Sequence, residues 1–194
     1  MTHVRNLPGI LARAALVAGA TPAVDISAPD LRSERSATPA PGTTGRALDE
    51  YVPFFLAPDA RLWQALRDGV PHPRLGALAA ASDATDFVFL VSTIRQVIDH
   101  GLELVVADGN SEGAYTRFAA TREDTERLLG RLRADDSAGS LLDAEFLVFG
   151  EVPIDLITLI GVANDKVRAA VRETVAGHEY TPKISVYPPW FQRS

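Results

Sequence analysis

"LLDAEFLVFG", residues 141–150, is the stretch on which the fold turns. Its run of large apolar residues, including Phe146 and Phe149, predicts a β-strand. Side chains alternate along a strand, so Glu145, Leu147 and Phe149 share one face while Ala144, Phe146 and Val148 share the other. Both faces are apolar, which predicts a central strand covered on each side. Glu145 then stands near the entry end of a buried strand. A carboxylate in that position is costly unless it is paired, hydrogen-bonded or neutralised. Two readings stay open: an ion pair with one of the arginines, or a working carboxylate facing a cleft. The second is preferred.

The chain around this strand has ordinary globular composition, with 194 residues, 46% hydrophobic and 23% charged. That is enough for one domain over residues 1–194 with a sizeable core. A formal net charge of −6 argues against a protein that coats DNA non-specifically, yet it leaves room for a local basic groove. With no cysteine, thiol catalysis, disulfides and cysteine-ligated zinc are excluded. The opening "MTHVRNLPGILARAALVAGATPA" superficially resembles a secretory leader. Arg13 interrupts it, however, and Leu7, Ile10, Leu11, Ala14, Ala15 and Ala18 recur at helical spacing. We read an amphipathic helix with Asn6 as N-cap, Pro8 in the first turn and Gly19 as C-terminal cap. No run is long and apolar enough to span a membrane, so the cytoplasm is the expected compartment.

Residues 20–50 are rich in Pro, Ser, Thr and Ala, carry Arg32, Arg35 and Arg46, and are expected to be irregular. A loop of that length in a compact domain is more often functional or disordered than decorative. The segments "YVPFFLAP" (51–58), "DFVFLVS" (86–92), "LELVVAD" (102–108), "TLIGV" (158–162) and "KISVY" (183–187) read as strands. Helices are predicted over 59–68, stopped by Gly69, and over 93–100, stopped by Gly101. Another occupies 111–129 in two pieces, the second capped by Thr121, and a last one starts at Asn164 with Val167, Val171 and Val175 inward. Residues 130–142 read as a polar loop carrying Arg131 and Arg133. Helices and strands mix without a βαβ alternation, so the fold class is α+β.

Common catalytic signatures are missing: no phosphate-binding GxxxxGK[ST], no GxGxxG, no HExxH and no GxSxG. His3, His72, His100 and His178 lie too far apart in sequence to suggest metal ligation, and no metal is expected. His100 precedes the glycine that closes a helix and suits the helix dipole there. The unusual places are His3 and Asn6 at the mouth of the first helix, the basic cluster "DLRSERS", and Glu145. A helix N-terminus also favours a phosphate-bearing ligand.

The blocks "THVRNLPGIL", "DLRSERSATPAPGTTGRALDEYVPFFLAP", "FLVSTIRQVIDHGLELVVADGN", "AYTRF" and "DAEFLVFGEVP…IGV" follow one another over most of the chain. In that order they resemble the DarT toxins, DNA ADP-ribosyltransferases paired with a macrodomain antitoxin. The resemblance implies an α+β ADP-ribosyltransferase-like fold, with two small central β-sheets around an NAD+ cleft and flanking helices. It implies NAD+ as co-substrate, single-stranded DNA as acceptor and a macrodomain antitoxin as partner; the chain itself is expected to be a monomer. Glu145 matches the family's catalytic glutamate. Arg35 matches the loop arginine that reaches the cleft, and would be the electrostatic neighbour of Glu145. His3 and Asn6 match the pair lining the NAD+ site, and Phe55 would pack near the nicotinamide.

Departures from the pattern fall on the nucleic-acid side. Phe55 replaces a tyrosine, "DARLWQ" replaces "RSPMLY", and Asn110 stands where "DGH" has its histidine. The family has thymine-modifying and guanine-modifying branches, and the loss of "RSPMLY" leans toward guanine. In the implied reaction nicotinamide leaves the ribose through an oxocarbenium-like transition state, which a nearby carboxylate stabilises. Glu145 or Arg35 would help move the proton of the attacking base. The base must be unpaired, because its reactive atom is hidden in a duplex. Arg131 and Arg133 would hold the DNA backbone, with Asn110 near the acceptor. Alternatives are transfer to RNA or protein, NAD+ hydrolysis, or an idle binding module in which Glu145 is only an ion-pair partner.

Overall fold

The alternation along 145–149 is realised in the computed structural model, which describes residues 1–43, 45–134 and 139–193. In chain order the strands are β1 (Thr2–His3), β2 (Ala15–Val17), β3 (Tyr51–Phe55), β4 (Phe87–Val91), β5 (Leu104–Ala107), β6 (Phe118–Ala119), β7 (Glu145–Phe149), β8 (Glu151–Pro153), β9 (Leu159–Val162) and β10 (Lys183–Val186). The helices are α1 (Leu7–Arg13), α2 (Leu31–Ala37), α3 (Arg61–Asp68), α4 (Ala77–Ala80), α5 (Ile94–Asp99), α6 (Arg122–Ala134), α7 (Gly139–Asp143) and α8 (Asp165–Val175).

Two four-stranded sheets, ordered β1-β4-β9-β10 and β3-β7-β5-β6, are joined by a two-stranded ribbon of β2 and β8. All pairings are antiparallel except β9 with β10. The α+β architecture with two small sheets is the one anticipated, and the ribbon is an addition to it. β7 lies between β3 and β5 and is buried on both faces, as its two apolar sets require. Leu147 packs with Leu48, Tyr51 and Val105 on the face it shares with Glu145. Phe146 and Val148 pack on the other face with Val106 and the α6 leucines Leu128, Leu129 and Leu132.

The helices differ from expectation where tertiary pairing competes. The first helix stops at Arg13, with Ala14 in the left-handed region at φ 51°. From there the chain pairs with β8 as β2, because burying Ala15 in the ribbon replaces the last helical turns. Gly19 is therefore a turn residue after β2, at φ 66°, and not a helix cap. Residues 20–50 are not wholly irregular: α2 lies within them and carries Arg35 on its buried side. Residues 111–117 form a turn before β6 instead of a helix, wrapped by bonds to the Asn110 carbonyl from the Gly113 N–H (2.8 Å) and the Thr116 hydroxyl (2.6 Å). Thr121 does cap α6, accepting from the Asp124 N–H at 3.1 Å.

α6 then runs through Gly130 to Ala134, so Arg131 and Arg133 stand on a helix and not on the polar loop predicted for 130–142. Burial of Leu128, Leu129 and Leu132 outweighs the ~1 kcal/mol that a mid-helix glycine costs. Residues 135–138 of that stretch lie outside the described residues. Asn164 caps α8 as expected, and Val171 and Val175 are buried on its inner face, with Val167 partly buried.

The loop between α3 and α4 is stitched to residues 26–28. Gly76 N–H donates to the Ile26 carbonyl at 2.8 Å, and Ala28 N–H to the Arg74 carbonyl at 3.0 Å. A Cβ on Gly76 would lie 2.4 Å from the Ser27 carbonyl oxygen, so only glycine permits this approach. Gly76→Ala is expected to push the two segments apart and lower the melting temperature by several degrees. An unchanged melting curve would show that the approach is not needed.

Candidate active site

The register of the second sheet sets Glu145 opposite Phe55 on β3 and Ala107 on β5. Its side chain is 0% exposed, and both oxygens are engaged. Oε1 accepts from Arg74 Nη1 at 2.6 Å, and Oε2 accepts from the Ser111 backbone N–H at 3.2 Å. Burial alone would lower the pKa of the Arg74 guanidinium. The charges of Glu145 and Glu112 and the Glu145 hydrogen bond outweigh it and raise that pKa above its ordinary value.

Glu112, next to Ser111, extends the pair into a network. Its Oε2 lies 3.5 Å from Arg74 Nε, an ion-pair contact without hydrogen-bond geometry. Its Oε1 accepts from Arg35 Nη1 at 2.6 Å. Arg35 donates further to Ser111 Oγ at 3.3 Å and to the Leu48 carbonyl at 2.8 Å. The charges thus alternate Glu145, Arg74, Glu112, Arg35. The expectation that Arg35 would be the neighbour of Glu145 is corrected here. Arg74 takes that place, and Arg35 connects to Glu145 through Ser111 and Glu112.

A cleft of about 270 Å³ opens over these groups, lined among others by Glu145, Arg74, Arg35, Arg32, Asp49 and Phe55. A second cleft, also about 270 Å³, shares Phe55 and is lined by Phe54, Phe89, Ile94, Phe146 and Trp190, with no ionisable side chain. Acid, base or charge-stabilising chemistry belongs to the first cleft, where the carboxylates and guanidiniums lie; the second offers apolar walls, backbone, the hydroxyls of Ser92 and Thr93, and Met1, which lines both clefts. Among the described residues no cluster of His, Asp and Glu could hold a metal ion. No helix among them is long and apolar enough to cross a membrane.

Other predicted site residues have visible structural tasks. His3 is buried on β1, packs edge-on against Phe87 and accepts the Arg5 N–H on Nδ1 at 3.1 Å. Asn6 makes no cap bond to α1, which corrects its reading as N-cap. Its amide instead holds the chain at Val24, accepting the Val24 N–H at 2.7 Å and donating to the Val24 carbonyl at 3.0 Å. Neither residue lines the carboxylate cleft. The Asn110 side chain accepts the Glu112 N–H at 3.2 Å and so shapes the turn that presents Ser111 and Glu112. Arg131 and Arg133 are exposed on α6 and line neither cleft.

Arg74, Ser111, Glu112 and His72 escaped the sequence reading. His72 accepts the Arg74 N–H on Nδ1 at 3.2 Å and sets the turn from which Arg74 enters the cleft. The available signal was "PHPRLG", an arginine bracketed by turn-forming residues and followed by glycine.

A family model described as "ssDNA thymidine ADP-ribosyltransferase, DarT" matches residues 1–192. A Mycobacterium tuberculosis protein named DNA ADP-ribosyl transferase is 27% identical over 205 residues, covering 96% of this chain and 86% of its own. The Thermus sp. 2.9 DarT structure in complex with ADP-ribosylated ssDNA superposes with TM-score 0.82 at 24% identity, over 98% of this chain and 93% of that one. The same Thermus protein in complex with NAD+ gives TM-score 0.77 at 25% identity, over 98% and 94%.

Both His3 and His72 have pKa values lowered from 6.5, by burial first. For His3, Asp86 opposes this and Arg5 adds to it; for His72, Arg74 adds to it while Asp143 opposes it. The unfolded chain therefore takes up protons at these sites before the folded chain does. Their contribution is fully present above the unfolded value and declines as pH falls through it toward the folded values. Thermal melts from about pH 8 down to about pH 5 should show falling stability below the ordinary histidine pKa. A His3→Asn/His72→Asn double variant should lose part of that slope; an identical slope would remove both imidazoles from the account.

Proposed function

This chain belongs to the DarT family, and we propose that its carboxylate cleft transfers ADP-ribose from NAD+ to a guanine or thymine base of single-stranded DNA. It is an NAD+-dependent DNA ADP-ribosyltransferase. The observation that carries the assignment to this cleft is Glu145: a fully buried carboxylate, held by Arg74 and Ser111 at the start of β7, lining a cleft that Arg35 also lines. The cleft suits the co-substrate chemically. Arginines on one wall match an anionic pyrophosphate, a carboxylate matches a cationic nicotinamide riboside, and Phe55 offers an aromatic face between a charged and an apolar slot.

NAD+ supplies an ADP-ribosyl group whose bond to nicotinamide is broken in the reaction. Glu145 faces the ribose carbon on which positive charge develops and stabilises it electrostatically. Each carboxylate oxygen accepts more than one hydrogen bond, so Glu145 can receive a ribose hydroxyl without releasing Arg74 or Ser111. Arg35, fixed by Leu48 and Glu112, lines the side from which the acceptor base approaches and orients it. The base nitrogen forms the new bond to the ribose carbon, nicotinamide leaves with its electron pair, and the proton of the base nitrogen passes to solvent or to Glu145. His3 and Asn6 support the NAD+ side through β1 and the chain at Val24, and Asn110 supports the acceptor side. A macrodomain partner that removes the ADP-ribose completes the proposal, on the family resemblance.

Labelled NAD+ incubated with single-stranded DNA, duplex DNA, RNA and protein tests the acceptor. Label on single strands alone is expected, and mass analysis of the modified oligonucleotide identifies the base. Free ADP-ribose as the sole product would point to a hydrolase instead. Glu145→Gln should keep the fold and reduce transfer on the order of 10²–10³-fold. Arg35→Ala should be severe, whereas Arg46→Ala on the same segment should matter little, because Arg46 pairs with Glu103 over the Phe149 ring, away from the cleft. Similar small effects from both arginines would remove Arg35 from the site.

Arg131 and Arg133, both exposed in the last turn of α6, stay as proposed phosphate contacts. Neutralising both should raise the KM for DNA and flatten its salt dependence, while NAD+ cleavage to water survives. An unchanged salt slope would assign the C-terminal turn of α6 no part in DNA binding.

A further inference from the structure

We infer that Glu112 is a positioning residue for the transfer reaction, acting as the counter-ion of Arg35 and Arg74 from behind the cleft wall; the inference rests on the ADP-ribosyl transfer reading above. Glu112 does not line the cleft, yet it touches both guanidiniums that do. Its side chain is 13% exposed, and its backbone is fixed by the Asn110 side chain and the turn closed by Gly113 and Thr116. The other charged groups on the cleft wall are Glu145 on β7, Arg32 on α2, paired with Asp25 at 3.0 Å, and Asp49 just before β3; Met1 also lines the cleft, and burial lowers the pKa of its amino group to about 6.

Charge balance gives Glu112 its task. Glu145 and Glu112 together offset Arg74 and Arg35, so the cleft wall is close to neutral where positive charge must develop on the ribose carbon. Without Glu112, one guanidinium is uncompensated beside that carbon. It opposes formation of the cationic transition state while still attracting the anionic pyrophosphate. Loss of this charge should therefore separate catalysis from binding. A purely architectural role would not: loosened arginines would weaken NAD+ binding and turnover together.

Glu112→Gln keeps the shape and removes the charge. Its kcat for transfer to single-stranded DNA should fall roughly tenfold or more, while the NAD+ dissociation constant, measured by calorimetry, stays equal or tightens. Glu112→Asp, with the charge restored on a shorter arm, should recover part of the lost kcat. A dissociation constant that rises in step with the loss of kcat would overturn the inference. So would an aspartate variant as impaired as the glutamine one. Should Glu112→Gln melt below the assay temperature, Glu112→Asp decides alone: turnover that is kept, or lowered without weaker NAD+ binding, supports the charge, and a dissociation constant that rises in step with the loss of kcat overturns it. Labelling of DNA by the unaltered protein tests the transfer reading separately, and NAD+ affinity is measurable without turnover.

Discussion

Glu145 sits between two neighbouring strands with none of its side chain exposed, and the Arg74 guanidinium 2.6 Å away makes that burial tolerable. An unpaired carboxylate in this position would either take up a proton or destabilise the fold. Arg74 is itself only 12% exposed, so it needs compensation in turn, and Glu112 and then Arg35 continue the alternation. Each member is desolvated enough to be costly alone and is satisfied only in company. Such a network holds a charge ready in a water-poor cleft, where it acts on a reacting group more strongly than it would in bulk water.

The scaffold delivers these four groups from distant parts of the chain. β7 supplies Glu145 by its place at the centre of a sheet, and the register with β3 brings Phe55 alongside. The turn after β5 supplies Ser111 and Glu112, shaped by Asn110. α2 supplies Arg35, and the loop after α3, pressed against residues 26–28 at Gly76, supplies Arg74. α3 itself, which begins in the segment where this chain departs from the family's "RSPMLY", is a core element. Trp63 is fully buried there and donates its indole N–H to the Trp190 carbonyl at 2.6 Å, while Leu62 reaches the cleft wall.

The acidic total and the arginine-lined cleft are compatible because charge acts locally. With a Debye length of about 8 Å in physiological salt, a distant exposed carboxylate has little influence on a ligand in the cleft. Several surface acids are also paired along α6, where Arg122 meets Glu126 and Arg127 meets Glu123 and Asp124. Net charge therefore constrains non-specific binding more than it constrains the chemistry of one pocket.

Strand identity was legible from sequence wherever both faces of a segment were apolar or strongly β-forming, as in β3, β4, β5, β7, β9 and β10. The buried position of Glu145 followed from alternation alone, and Thr121 and Asn164 announced their helices by local hydrogen-bonding chemistry. What escaped was set by partners far away in the chain. The first helix ends at Arg13 because β8 captures the residues after it, α6 continues through Gly130 because its leucines find the sheet, and Asn6 abandons its cap to bind Val24. The partner of Glu145 was equally invisible, since any arginine could neutralise it and only the packed loop at Gly76 selects Arg74. Periodicity and capping are local properties, readable within a few residues. Ion-pair choice depends on which distant backbones meet in space, and only the tertiary structure decides that.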